Sequence, residues 1–437
     1  MITRHFIDVD QGSVRRRVHY RRCGSGPALL MVHQSPRSSK EYEALMCDWG
    51  AHFTCIAPDT PGFGQSAPLP GQPTIDDFAD ANIALLNALG LKNVAAYGFH
   101  SGGIILVTAL KRHPERFSCL AVGGYAIWNH QEMVIFGESY LPPFVPSGYG
   151  EHLTWLWNRI IEQSWVFPWF DVRDAARLPN PHDDPAKVHA VVMEMLDAGD
   201  AYRAGYGAVL RASRDIPPVE TVTPPVLITA YDGDPLQTHI DRLGAMPKSW
   251  SAAKVATQAD HQAASLAFLL ESGGPVVGVL PEADDAGFVR LSTGAFDGLI
   301  HWDGVDVDPP GHGLSDDWKG APPVYWLDWQ AVFEAFETAT GKTVVLPTLP
   351  KGDPELLYPD LTPDRFGAYL TKAWSISRAA MLFDPWYEVS SATALPIDPA
   401  RITPESLATD MRSRLRNRAA KALHKARLMK GDACGNP

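Results

Sequence analysis

Tyr97-Gly-Phe-His-Ser-Gly-Gly103 closes a short apolar run, Asn93–Tyr97, and leads into a helical pattern from Gly102 to Arg112. A strand that turns sharply into a helix while presenting one side chain needs small residues two before and two after it, because the backbone folds back on itself there. Centred on His100, the turn has Gly98 and Gly102 at those places; centred on Ser101, it has bulky Phe99 at one of them. Sterics therefore put His100 at the tip and Ser101 just inside the helix.

Working outward, Pro27–His33, Phe53–Asp59, Cys119–Gly123 and Pro225–Ala230 are further short apolar runs, as expected of strands buried on both faces. Residues 5–22 alternate around Gly12 and read as a hairpin. Thr74 with Asp77 resembles a capping box that opens a helix ending at Gly90. Strands alternating with helices predict a mostly parallel sheet in an α/β layer fold. Between 127 and 215 helical periodicity takes over, rich in Trp128, Trp155, Trp157, Trp165, Trp169 and Phe167. This stretch is expected to form a cap over the C-terminal edge of the sheet, where open α/β sheets bind ligands. Most of its aromatic side chains are expected to form the cap's own core.

Composition narrows the class. The chain has 437 residues, 45% apolar and 20% charged, so a sizeable core can form. Its 38 basic and 50 acidic side chains, net −12, argue against a nucleic-acid partner. Five cysteines (Cys23, Cys47, Cys55, Cys119, Cys434) show neither CxxC nor metal-ligand spacing and suit reduced thiols in a cytoplasm. No apolar stretch is long enough to span a bilayer, so a cytoplasmic protein without membrane contact is expected.

Four motifs, in order, resemble the α/β-hydrolase superfamily over roughly residues 5–272. They are His33-Gln-Ser-Pro36 after the first buried strand, Asp59-Thr-Pro-Gly-Phe-Gly-Gln-Ser66, the elbow at His100, and Asp234 followed by His261. The resemblance implies an α/β-hydrolase core at 1–126 and 216–274, with a helical Trp-rich cap at 127–215. It implies an oxyanion hole from the N–H groups of Gln34 and Ser101, Asp234 as the acid and His261 as the general base. The departure is at the elbow, where the superfamily keeps Ser, Cys or Asp and this chain has His100. An atypical subgroup with a His-Ser/Thr-Gly elbow and a His-Gln-x-Pro turn is similar.

Four readings of the elbow follow. Ser101 is the nucleophile after a local shift, with His261 as base and Asp234 orienting it. Alternatively His100 acts as a base or nitrogen nucleophile. In a third reading, His100, Asp234 and His261 form a two-histidine, one-carboxylate site for a divalent metal. In the fourth, the site only binds. The preferred expectation is a cofactor-free hydrolase cleaving an ester, lactone or carbon–carbon bond of an apolar or aromatic small molecule. A lyase on the same scaffold, a metal enzyme and a catalytically inactive binding protein are the alternatives. His33, Trp128, Trp155 and Trp165 are the candidate substrate contacts.

The second half carries an echo of the first. Phe6-Ile-Asp-Val-Asp-Gln-Gly12…His19 matches Phe288-Val-Arg-Leu-Ser-Thr-Gly294…His301, and Asp59–Ser66 matches Asp308–Ser315. Gly150-x-x-Leu-Thr-x-x-Trp157 followed by Pro168-Trp-Phe-x-Val172 matches Gly367-x-x-Leu-Thr-x-x-Trp374 followed by Pro385-Trp-Tyr-x-Val389. Residues 275–437 are therefore expected to be a truncated, degenerate hydrolase-like repeat without an elbow. It would pack on the first copy or mediate a homodimer, and it ends in a basic helix over Met411–Lys430 that docks on an acidic body.

Overall fold

Along the apolar runs, successive residues face two different cores. In the computed structural model, which describes residues 1–136, 139–278 and 286–431, Ala28, Leu30 and Val32 pack into one buried cluster and Leu29 and Met31 into another. This alternation is what a strand covered on both faces requires. Cys434 and residues 279–285 lie outside the described residues.

In chain order the first part runs β1 (Ile2–Gln11), β2 (Val14–Cys23), β3 (Ala28–Val32), α1 (Glu43–Trp49), β4 (Thr54–Pro58), α2 (Ile75–Ala88), β5 (Val94–Phe99), α3 (Ser101–Arg112), β6 (Phe117–Gly123) and α4 (His130–Phe136). It continues with α5 (Glu151–Glu162), α6 (Pro185–Ala198), α7 (Tyr202–Arg211), β7 (Val226–Tyr231), β8 (Trp250–Val255) and α8 (Gln258–Leu270). The eight strands form one sheet in the order β1-β2-β4-β3-β5-β6-β7-β8, parallel from β4 to β8 and antiparallel at β1 and β2. β8 has no continuous apolar run in the sequence because it is an edge strand with an exposed face. From β3 the chain crosses to β4 on one side and returns to β5 on the other. The C-terminal ends of β3 and β5 thus flank the switch point where such sheets leave a crevice.

The second part contains the hairpin β9 (Ala286–Thr293) and β10 (Phe296–Asp303), then α9 (Trp326–Thr340), α10 (Pro354–Leu357), α11 (Ala368–Ala380), α12 (Pro404–Arg416) and α13 (Ala420–Lys430). The sequence echo is repeated in geometry. Phe6 faces His19 across β1–β2, and Phe288 faces His301 across β9–β10. His19 Nδ1 lies 2.8 Å from Asp59 Oδ2, and His301 Nδ1 lies 2.8 Å from Asp308 Oδ2. The backbone N–H of each histidine donates to a serine hydroxyl, Ser66 at 3.0 Å and Ser315 at 2.8 Å.

The basic C-terminal stretch is two helices rather than the single expected one, broken at Asn417–Ala419. It buries Leu407, Met411, Leu415, Leu423 and Ala426. Its charges find acids of the same part: Arg414 with Asp410 (2.6 Å), Arg418 with Asp317 (2.9 Å), Lys421 with Glu355 (3.1 Å) and Lys425 with Glu355. Among the described residues no helix is long and apolar enough to cross a membrane.

The chain forms two compact units, one of 1–144, 159–183 and 190–283, the other of 145–158, 184–189 and 284–437. The division cuts through the segment 127–215: α5 belongs to the second unit up to Asn158 and to the first from Arg159.

Candidate active site

The elbow forms at His100. Its φ of 47° and ψ of −114° make it the sole non-glycine residue with positive φ among the described residues. Such a conformation costs on the order of 1–3 kcal/mol and persists where its surroundings enforce it. They do so here through two close approaches. A Cβ on Gly98 would lie 2.7 Å from the Gly102 carbonyl carbon, and one on Gly102 would lie 1.9 Å from the Val32 oxygen. Only glycine fits at either place, as the steric argument from the sequence requires.

At the tip, His100 Nε2 lies 3.1 Å from Asp234 Oδ1, which also accepts the Leu236 N–H at 2.8 Å. Asp234 is buried at the end of β7, whereas Asp232 is exposed. Burial pushes the Asp234 carboxyl up, but the charge and hydrogen bond of His100 and the Leu236 N–H outweigh it and hold the group below its ordinary value. Gly124, at φ 56°, makes room for this pair: a Cβ there would stand 2.6 Å from His100 Nε2 and 2.8 Å from Asp234 Oδ2.

His261 does not pair with Asp234, contrary to the triad expected from the resemblance. It is 1% exposed, with Nδ1 2.6 Å from the Thr229 hydroxyl and Nε2 2.9 Å from the Tyr97 hydroxyl. Two hydroxyls, one from β7 and one from β5, hold both ring nitrogens, while the elbow histidine takes the acid. Burial pushes His261 down to about 4 against the pull of Asp234. The proposed two-histidine, one-carboxylate metal site is corrected on the same ground. Among the described residues, no three His, Cys, Asp or Glu side chains are placed to share a metal ion.

Ser101 is likewise not a presented nucleophile. It opens α3, is buried, and its Oγ accepts the Ser35 N–H at 2.6 Å and donates to Ser35 Oγ at 3.2 Å. As the first residue of the helix it contributes one of the N–H groups that α-helical bonding leaves unused. The other expected oxyanion donor is engaged: the Gln34 N–H donates to Glu41 Oε2 at 3.1 Å, and the Gln34 side chain donates to Glu41 Oε1. The sequence reading missed Glu41. Ser38-Ser-Lys-Glu41 has the spacing of a capping box, and Ser38 does cap the short turn that follows it.

A cavity opens beside His100, lined by Ser35, Ser101, Trp128, Tyr140, Phe167 and Tyr206 with aliphatic residues of α3, α7 and the β7 loop. Of the four expected substrate contacts, only Trp128 is there. His33 is buried in the turn, where its Nδ1–H donates to the Gln34 carbonyl (2.8 Å) and its Nε2 accepts the Thr60 N–H (2.9 Å). Trp165 is 37% exposed and donates to the His182 carbonyl at 2.8 Å, and Trp155 belongs to the second unit. Tyr140, Phe167 and Tyr206 take their place, with the two tyrosine hydroxyls 2.9 Å apart. Helix α6 is tied to the oxyanion turn: Glu194 is buried against the Arg37 guanidinium and accepts the Ser38 hydroxyl at 2.9 Å.

Residues 27–134 match the family described as alpha/beta hydrolase fold. Over that stretch the chain resembles the α/β-hydrolase fold, in keeping with its eight-stranded, mostly parallel sheet. Haloalkane dehalogenase 2 of Mycobacterium bovis is 31% identical over 117 residues, 26% of this chain; the chain spans 41% of that relative's length. Among solved structures, a hydrolase from Pseudomonas aeruginosa PA01 aligns with a TM-score of 0.47 and 16% identity over 60% of this chain and 98% of its own. A thermophilic esterase from Thermogutta terrifontis aligns with 0.44 and 17% over 58% and 89%. In this chain the elbow and the acid meet directly, with no serine between them.

The buried imidazoles give the protein a defined acid response. For His261 the folded value of about 4 lies below its ordinary 6.5, so between the two the unfolded chain binds the extra proton. Its contribution is complete above about pH 6.5 and is lost as pH falls toward 4. His19, buried beside Asp59 and also lowered to about 4, acts in the same direction. Urea midpoints are expected to fall steadily from pH 7 to pH 4.5. His261→Gln is expected to flatten part of that slope.

Proposed function

We propose that this protein is a cofactor-free hydrolase of small apolar or aromatic esters and lactones, with His100 as the reacting base. The observation that carries the reading is the contact of His100 Nε2 with Asp234 at the elbow tip. A carboxylate accepting the Nε2–H leaves the lone pair on Nδ1, the nitrogen then free to take a proton. In the proposed step, Nδ1 removes a proton from water as its oxygen bonds to the substrate carbonyl carbon. The Ser101 N–H receives the developing oxyanion. Collapse breaks the bond to the leaving alkoxide, which takes the proton back from the imidazolium and departs as the alcohol. The aromatic wall of Trp128, Tyr140, Phe167 and Tyr206 favours an apolar substrate.

A second reading keeps the same residue: the elbow tip is where a covalent nucleophile stands in this superfamily, so Nδ1 would form a short-lived acyl-imidazole. Burst kinetics with a p-nitrophenyl ester separates the two, a stoichiometric burst favouring the covalent route. The primary test is turnover of a panel of aryl esters, alkyl esters and lactones by the purified chain. No turnover of any member would defeat the hydrolase reading.

Glu41 bears on the same chemistry, because its carboxylate occupies the N–H that would be the second oxyanion donor. One such donor is worth about 10²–10³ in kcat. Glu41→Ala is expected to raise kcat, by up to about 10²-fold where the freed Gln34 N–H reaches the substrate oxygen. A fall in kcat would instead assign Glu41 a direct part in the reaction.

A further inference from the structure

The contact between α5 and α11 is reciprocal. A Cβ on Gly150, the residue before α5, would meet the Trp374 ring at 2.9 Å, and one on Gly367, the residue before α11, would meet the Trp157 ring at 2.4 Å. His152 packs edge-on against Trp374 with ring centres 4.9 Å apart, and Tyr369 packs edge-on against Trp157 at 5.7 Å. Gly150, His152 and Trp157 stand in the same register as Gly367, Tyr369 and Trp374. Carbonyls in that register also accept from the opposite element: Trp157 Nε1–H donates to Arg365 at 3.1 Å and Arg378 donates to Gly148 at 3.2 Å. Residue i meeting j while j's counterpart meets i's is the signature of a two-fold, isologous interface.

The correspondence runs on to the end of the described chain. Phe167 N–H donates to Ala176 and Leu178 N–H to Trp165, and the matching bonds run from Asp384 to Thr393 and from Leu395 to Leu382. α6 and α12 both begin with proline and bury their fourth, eighth and twelfth residues: Val188, Val192 and Leu196 in one, Leu407, Met411 and Leu415 in the other. Ala201, just before α7, faces Gly62, while Ala419, just before α13, faces Gly311 of the matching loop. The two basic helices therefore stand where α6 and α7 stand. The second copy keeps the hairpin, the Asp-x-Pro-Gly loop and the helices that correspond to α5–α7.

We propose that the α5–α11 contact is a two-fold dimer interface that gene duplication has moved inside one chain, the second copy serving as a permanent partner in cis. Each helix face is then self-complementary. Gly150 and His152 already receive a tryptophan equivalent to their own Trp157, so an α5 face freed from α11 would accept the α5 face of a second chain.

Light scattering on the full chain tests this. The wild type is expected at its monomer mass of 47.8 kDa across concentration. Trp374→Asp and Trp157→Asp each place a charge in one buried slot and leave the other face intact, so each is expected to give a concentration-dependent doubling of mass. The double variant, with neither face intact, is expected to return to monomer. Gly367→Leu, which keeps both indoles, repeats the first arm should the Asp variants fail to fold. A dimeric wild type, or folded single variants that stay monomeric, would overturn the proposal.

Discussion

Replacing His100 with alanine is expected to lower kcat on any ester the protein turns over by roughly 10²–10⁴-fold, the range that positioned acid–base groups contribute. The side chain is 24% exposed and sits at the rim of the cavity, so its loss removes chemistry with little packing. KM is expected to change much less, because Trp128, Phe167 and Tyr206 of the cavity, against which an apolar substrate would rest, are left in place. Asp234→Asn is expected to reduce kcat in the same direction, since an amide no longer offers the imidazole a carboxylate and lets the other tautomer form. Steady-state kinetics on one p-nitrophenyl ester reads all of these together. A His100→Ala protein with wild-type kcat would remove the elbow histidine from the reaction.

Gly102→Ala is expected to destabilise the fold by about 3 kcal/mol, the upper end of ordinary overpacking. In an exposed helix the same change would stabilise by about 1 kcal/mol. The sign reverses because the new methyl group would lie 1.9 Å from the Val32 carbonyl oxygen and 2.8 Å from that of His33, both backbone atoms. Helix α3 and strand β3 cannot both keep their positions, and the elbow and oxyanion turn separate. Urea unfolding with an unchanged m-value reads the loss. Gly320→Ala, at a glycine with open space around it, serves as control and is expected to stay within about 0.5 kcal/mol.

The architecture was legible because its signals are local. Continuous apolar runs announce strands covered on both faces, and two glycines bracketing His100 decide which residue occupies the tip. Asp234 was legible by its place after a strand, and burial separates it from Asp232. The partner of His261 was not legible. The choice between Asp234 and the Tyr97 and Thr229 hydroxyls depends on where a side chain from α8 enters between β5 and β7, which neither spacing nor periodicity encodes. Glu41 was hidden by its cap spacing. Among the tryptophans, Trp128 follows β6 closely and so lies at the sheet's edge. Trp155 and Trp165 sit in helical and loop segments whose direction is set by packing with partners remote in sequence.

The claim that His100 is the reacting group is tested most directly by chemical rescue. Imidazole is added to His100→Ala while Ser101→Ala is assayed beside it on the same p-nitrophenyl ester. Free imidazole can occupy the emptied elbow and accept the proton Nδ1 would have taken. Turnover is expected to recover saturably above the background reaction of imidazole with the ester, and the Ser101→Ala protein to keep most of its kcat. An inactive Ser101→Ala protein beside a His100→Ala protein that needs no rescue would contradict that claim.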